Sequence, residues 1–174
     1  MSPPLQDRLS AIRLLLLDVD GVLTDGAVYL GDSGELKAFN TQDGLGIKLA
    51  QRGGIQVGII TGRSSKAVSR RAEELELDFL YQSVKDKRLA YDEILKQTGF
   101  DDAAVCYMGD DLPDLALILR AGVGVAVSNA SRDLQTRADL TTAAPGGKGA
   151  VREVIESILK AQGQWDDLLK EFLG

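Results

Sequence analysis

The run Ile12-Arg13-Leu14-Leu15-Leu16-Leu17-Asp18-Val19-Asp20-Gly21 decides how this chain is read. Its apolar half is short and unbroken, the pattern of a strand buried on both faces. Its polar half sets two carboxylates two residues apart where the backbone leaves the core. Like charges that close repel and lose hydration, so they persist only beside a cation or a shared proton. Such a pair can divide a reaction, one oxygen attacking while the other carboxyl handles the proton. An acidic turn in which Gly21 supplies unusual dihedrals is the plainer reading of the same residues.

Outward from this run, short apolar segments alternate with amphipathic ones. Strands are expected near 12–18, 55–60, 78–81, 104–109, 123–127 and 139–141. Helices are expected near 44–53, 64–76, 86–97, 112–121, 131–137 and 149–161. That alternation predicts an α/β fold, a Rossmann-like open parallel sheet with helices on both faces joined by right-handed crossovers. No repeat, low-complexity tract or linker divides residues 1–174, so one domain is expected. Residues 1–11 read as a lead-in with a short helical turn. One segment, about 27–39, breaks the alternation: Ala27–Leu30 and Glu35–Phe39 flank Gly31-Asp32-Ser33-Gly34 and read as a β-hairpin. An isolated hairpin is marginal in water, so it packs either on its own body or on a neighbouring subunit. The tail, about 164–174, reads as a docking helix or as a frayed end.

Composition removes several functions. Twenty Lys and Arg against 26 Asp and Glu leave a net charge of −6 with no long basic run, which speaks against nucleic acid and anionic membranes as partners. No apolar stretch is long enough to span a bilayer and no signal pattern opens the chain. The one cysteine, Cys106, lies in an apolar run and cannot form an intrachain disulfide, which suits a reducing cytoplasm. With no histidine, histidine phosphatases, Ser–His triads and imidazole zinc sites are excluded.

In an open parallel sheet, ligands bind beyond the carboxyl ends of the strands, and suspicious residues gather at those ends. The first strand delivers Asp18 and Asp20. The second ends in Thr61-Gly62-Arg63-Ser64 at a helix start, which reads equally as an anion site or a plain cap. Another ends in Gly109-Asp110-Asp111-Leu112-Pro113-Asp114, where Pro113 opens a helical turn and Asp114 points back to the mouth, while Asp111 reads as a cap. Five carboxylates without histidine favour a hard cation, Mg²⁺ over Zn²⁺. Lys87, at the start of the third crossover helix, is a fixed countercharge or an ordinary solvated lysine. EF-hand, P-loop and dinucleotide templates all fail at required positions.

Asp18-x-Asp20-Gly21-x-x-Thr24, then Thr61, a lysine and Gly109-Asp110-Asp111-x-x-Asp114, in that order, resemble the four motifs of the haloacid dehalogenase superfamily. Asp18–Gly26, Asp43–Ile47, Ile60–Arg63 and Gly146–Glu153 further resemble its 3-deoxy-D-manno-octulosonate 8-phosphate phosphatase branch. The likeness runs from residue 12 to about 164. It implies a Mg²⁺-dependent phosphatase of lipopolysaccharide biosynthesis with Asp18 as nucleophile and Asp20 as acid and base. It further implies that Thr61 and Lys87 hold the phosphoryl oxygens. The metal would rest on Asp18, the Asp20 main chain and Asp110, supported by Asp111 and Asp114. The substrate, a sugar acid phosphate, would touch Asp20, Asn40, Thr41, Gln42, Asp43, Gly44, Lys48, Arg63, Arg71 and Lys87. Lys48, Arg63 and Arg71 read equally well as exposed helix residues. Lys148 stands where relatives often carry arginine. No segment is long enough for a cap domain, so the resemblance implies a homotetramer whose hairpin covers the neighbouring site. The alternatives are the same chemistry on a nine-carbon ulosonate phosphate, a phospho-accepting receiver domain, or a binding module. A receiver carries its aspartate after the third strand, where Phe79-Leu80-Tyr81-Gln82 offers none.

Overall fold

Six parallel strands, in the order β5-β4-β1-β6-β7-β8, form the sheet around which the chain is wound. They are β1 (Leu14–Leu17), β4 (Gln56–Ile60), β5 (Phe79–Tyr81), β6 (Val105–Gly109), β7 (Val123–Ala126) and β8 (Leu140–Thr141). A separate antiparallel pair, β2 (Tyr29–Gly31) and β3 (Gly34–Leu36), makes the hairpin. The helices are α1 (Leu5–Ser10), α2 (Thr41–Arg52), α3 (Lys66–Glu74), α4 (Lys87–Thr98), α5 (Leu115–Arg120), α6 (Arg132–Gln135), α7 (Ala150–Ala161) and α8 (Trp165–Lys170). This computed structural model describes residues 3–32 and 34–173, so Ser33 of the expected hairpin turn lies outside the described residues, as do Met1, Ser2 and Gly174.

Strand order follows from the crossovers. The chain steps outward from β1 to β4 and β5, then returns across β1 to β6, β7 and β8. Right-handed connections therefore place α2 and α3 on one face and α4 and α5 on the other. α7 packs on α2 and α1, and α4 packs on α5, in keeping with that division. The direction of winding reverses between β1 and β6, the place where open α/β sheets bind ligands.

The core explains the quoted run. Leu14, Leu15, Leu16 and Leu17 are all fully buried, with β4 and β6 on either side. Val151, Val154, Ile155, Ile158 and Leu159 put an apolar face of α7 against the same core. Each such side chain contributes about 1.5–3 kcal/mol when fully buried.

Most expected elements stand within two residues of their positions, and the exceptions have local causes. β1 is shorter than 12–18 because only Leu14–Leu17 pair with both neighbours. α2 starts at Thr41, not at 44, because the Asn40 side chain caps it, accepting from the N–H groups of Gln42 and Asp43. Gly44 and Gly46 then lie inside the helix, where a Cβ would meet Arg71 and Arg152 at 2.2 and 3.0 Å. The expected helix 112–121 splits into one tight turn, Leu112–Asp114, and α5. The tail is a docked helix: Trp165 and Leu168 pack on the core, and Arg152 and Lys160 lie over the Trp165 ring. Among the described residues no helix is long and apolar enough to cross a membrane.

The hairpin touches its own body through charge, while its apolar side chains stay out. Val28, Tyr29, Leu30 and Leu36 are exposed, Leu30 by 80%.

Candidate active site

The switch point between β1 and β6 opens into a cleft of about 510 Å³ lined by Asp18, Asp20, Thr61, Arg63, Lys87 and Asp110, among others. Backbone geometry sets each group. β1 ends at Leu17, Asp18 follows it directly, and the chain turns back through Val19–Leu23 with Gly21 at φ 88°. A side chain at that φ is strained, and a Cβ there would stand 2.1 Å from the Asp110 carboxylate. The loop from β6 thus lies directly against the loop from β1. A third loop closes on the one from β1: the Gly147 N–H donates to the Val22 carbonyl at 2.9 Å, and a Cβ on Gly146 would strike the Gly21 carbonyl at 1.7 Å.

Asp18 Oδ1 accepts from the Val19 N–H at 2.7 Å and sits 3.0 Å from Lys87 Nζ. Among the described residues nothing donates to its Oδ2. Asp114 is almost wholly buried and surrounded by donors. Its Oδ1 accepts from Lys87 Nζ at 2.6 Å and from the Tyr107 hydroxyl at 2.6 Å. Its Oδ2 accepts from the N–H groups of Asp110 at 3.0 Å and Asp111 at 3.4 Å. Four donors use up the lone pairs of that carboxylate.

Charge here is out of balance. Oxygens of Asp18, Asp110 and Asp114 all lie within 4.8 Å of one another, against the single ammonium of Lys87. Burial, then the Asp114 charge, pushes the Asp18 carboxyl up to about 6 against the pull of Lys87. Burial, then Asp114 and Asp18, pushes Asp110 up to about 7. Burial alone would lower the Lys87 pKa, but the charges of Asp18 and Asp114 outweigh it and raise it. Burial and the same carboxylates drive the Tyr107 phenol well above its ordinary value, so it stays a donor. A site of oxygens that resist ionising together fits a hard divalent cation. Asp18 and Asp110 have oxygens to spare for it; Asp114 does not.

Asp20 faces the other way. Its Oδ1 accepts from Lys37 Nζ, and its Oδ2 lies 3.6 Å from Arg63 Nε. Both cations also pair with Glu35 of β3, Lys37 at 2.5 Å and Arg63 at 2.6 Å. Burial would lower the Lys37 pKa, but its bonds to Asp20 and Glu35 outweigh that and raise it. Thr61, buried at the end of β4, lines the cleft, as does Asp111 at its rim.

The other residues singled out in the sequence lie elsewhere within one chain. Asn40 is engaged as the cap of α2, and Thr41 and Gln42 are exposed in its first turn. Asp43 is buried and accepts from the N–H groups of Arg152 at 2.8 Å and Gly149 at 3.3 Å, pinning α2 to the start of α7. Burial raises its pKa against those bonds. Thr41, Gly44, Lys48 and Arg71 share a second groove of about 300 Å³ between α2 and α3. There Lys48 pairs with Glu76 at 2.6 Å and Arg71 with Glu74 at 3.0 Å. Two residues that bond to carboxylates of the cleft had no local signal: Tyr107 looks like any core strand residue, and Lys37 like any hairpin lysine.

A parallel sheet with carboxylates, a buried lysine and a threonine at its switch point is the layout of a phosphoryl-transfer hydrolase. The comparisons agree: residues 77–155 match the haloacid dehalogenase-like hydrolase model. The 3-deoxy-D-manno-octulosonate 8-phosphate phosphatase KdsC of Salmonella typhimurium is 45% identical over 168 residues, 96% of this chain and 89% of that protein. Its namesake in Escherichia coli K12 is 47% identical, covering 90% of this chain and 84% of its own. The chain belongs to the haloacid dehalogenase-like hydrolases, in the branch that holds these phosphatases. Among solved structures, a 3-deoxy-D-manno-octulosonate 8-phosphate phosphatase from Moraxella catarrhalis, in complex with magnesium, phosphate and KDO, superposes with a TM-score of 0.94 at 42% identity, covering 96% of this chain and 97% of that one. A probable YrbI family phosphatase from Pseudomonas syringae pv. phaseolica superposes at 0.95 with 44% identity, covering 97% of each chain.

Proposed function

We propose that this chain is a Mg²⁺-dependent phosphatase that hydrolyses 3-deoxy-D-manno-octulosonate 8-phosphate to the sugar acid and phosphate in lipopolysaccharide biosynthesis. The observation that carries the reading is Asp18, at the end of β1, with Oδ1 held by the Val19 N–H and Lys87 and Oδ2 without a donor. Oδ2 attacks phosphorus, the bond from phosphorus to the sugar oxygen breaks, and an aspartyl-phosphate forms. Asp20 gives its proton to the departing oxygen. It then takes a proton from water, whose oxygen attacks the phosphorus and frees Asp18 and phosphate. Lys87 and Thr61 hold the phosphoryl oxygens, while Asp111 and Asp114 keep Asp110 and Lys87 in place. Asp18, Asp110 and the main-chain carbonyl of Asp20 would hold Mg²⁺, which would supply neutralisation of the phosphoryl charge.

The whole chain acts as one domain in the cytoplasm, and the active form is a homotetramer. The exposed hairpin apolar side chains and the position of Asn40–Gly44, Lys48 and Arg71 away from their own cleft support that reading. In the tetramer Thr41, Gln42, Lys48 and Arg71 meet the sugar acid at a neighbouring cleft and Arg63 meets it from within, while Asn40 and the buried Asp43 hold α2 in place.

Phosphate release from a panel of eight- and nine-carbon sugar acid phosphates and simple sugar phosphates, with Mg²⁺ or with a chelator, tests this. The expected result is metal-dependent turnover that favours the eight-carbon acid. Equal turnover of phosphates lacking a carboxylate rejects the substrate, and turnover in the chelator rejects the metal.

A further inference from the structure

The two buried carboxylates of the site and Asp20 differ in what aims them. Asp18 is fixed by the amide of its own loop, and Asp114 by two amides, a phenol and an ammonium. Among the described residues the Asp20 carboxylate has no amide donor. Its one hydrogen bond comes from Lys37, and Arg63 stands off at 3.6 Å. Lys37 follows β3, and its side chain is only 2% exposed, between Asp20 and Glu35. A lysine that served only to fasten the hairpin would be satisfied by Glu35, its neighbour two positions back on the same face. Burying an ammonium is costly unless anions surround it, and here the second anion is the residue that must face the leaving group.

Resting on the phosphatase reading above, we propose that Lys37 is a positioning residue, the group that aims the Asp20 carboxyl at the leaving oxygen. It touches neither phosphorus nor nucleophile. Its effect therefore falls on the two proton transfers made by Asp20, to the leaving group and from the hydrolytic water, and not on attack by Asp18. The hairpin thus contributes to the chemistry of its own chain as well as to coverage of the cleft.

Leaving groups separate the two steps. An alkyl oxygen, as in a sugar acid phosphate, needs a proton to depart, whereas the phenolate of p-nitrophenyl phosphate leaves without one. General acid catalysis contributes roughly 10²–10⁴-fold, and a misaimed acid forfeits part of it. Lys37→Met in the full-length protein is expected to lower kcat on the sugar acid phosphate by about ten- to a hundredfold, with KM little changed. On p-nitrophenyl phosphate the first-turnover release of nitrophenolate, which reports attack by Asp18 alone, should slow by less than about threefold. Lys37→Arg, which keeps the charge, should recover most of the loss. Where the methionine variant does not fold, Lys37→Gln is read for the same ratio. An equal loss in that first turnover and in kcat on the sugar acid phosphate, or no loss in either, overturns the inference while leaving an active wild type and its phosphatase reading standing. A wild type inert to both phosphates overturns that reading and this inference with it.

Discussion

The floor and the rim of the cleft are built by opposite means. On the floor, Asp18, Lys87, Tyr107 and Asp114 are buried and hold one another through short bonds, several of them to backbone amides of strand ends. On the rim, a two-stranded hairpin with exposed Tyr29, Leu30 and Leu36 is tied down by ion pairs of Lys37 and Arg63 with Asp20 and Glu35. Groups on the floor cannot move without opening the core, so their charges stay aimed whatever is bound. The rim is held by exchangeable side-chain charges, so a bound anion can compete for the same cations. Rigid chemistry and adjustable recognition are thus divided between two parts of the chain.

The comparison breaks most visibly at Asp18. Asp18→Asn should cut turnover by at least about 10⁴-fold, since it removes the attacking oxygen and leaves the fold. The metal-free variant should melt higher than the wild type, because a crowded carboxylate has been neutralised. Phosphate release and a melting curve check both, and retained turnover would remove Asp18 from the role of nucleophile. Lys87→Met comes next: it strands Asp18 and Asp114 without their countercharge. A loss of about 3–5 kcal/mol in chemical denaturation is expected for such a broken buried pair.

Proton uptake sharpens the contrast further. Asp18 and Asp110 are raised to about 6 and about 7, whereas an unfolded carboxylate titrates near 4. The folded, metal-free protein therefore binds protons that the unfolded chain does not. The resulting stability is complete below about pH 4 and fades as pH rises through about 6 to 7. Melting temperature without metal should fall between about pH 5 and pH 8, and saturating Mg²⁺ should flatten or reverse that slope. A level metal-free profile would mean that the floor is not charge-crowded. The smallest effect belongs to the rim. Leu30→Asp should change the stability of the isolated chain by less than about 0.5 kcal/mol. Sedimentation should nonetheless show the proposed tetramer weakened, and an intact assembly would place its contacts elsewhere.

Much of the floor was legible because each residue sits at a strand end marked by an apolar run. Leu14–Leu17 announces Asp18, Val105–Met108 announces Asp110, and Pro113 sets the turn that buries Asp114. Lys87 was found by the company it kept, not by its own surroundings. The Asn40 cap was not read as one, since Gly44 and Gly46 lower local helix propensity and only packing against Arg71 and Arg152 explains them. Tyr107 and Lys37 were illegible for a different reason. Their partners stand 7 and 17 residues away and are chosen by tertiary structure alone. The grooved placement of Lys48 and Arg71 likewise depends on how α2 and α3 meet, which periodicity does not specify.

The close fit of Gly146 against Gly21 sets a timetable for biogenesis. A nascent polypeptide still missing everything past residue 145 already owns Asp18, Asp20, Asp110 and Asp114, yet the loop after Leu17 would stand without its backing. Maturation of the pocket is then among the last events of synthesis, and a ribosome-tethered fragment is a poor hydrolase even when most of its sheet has formed.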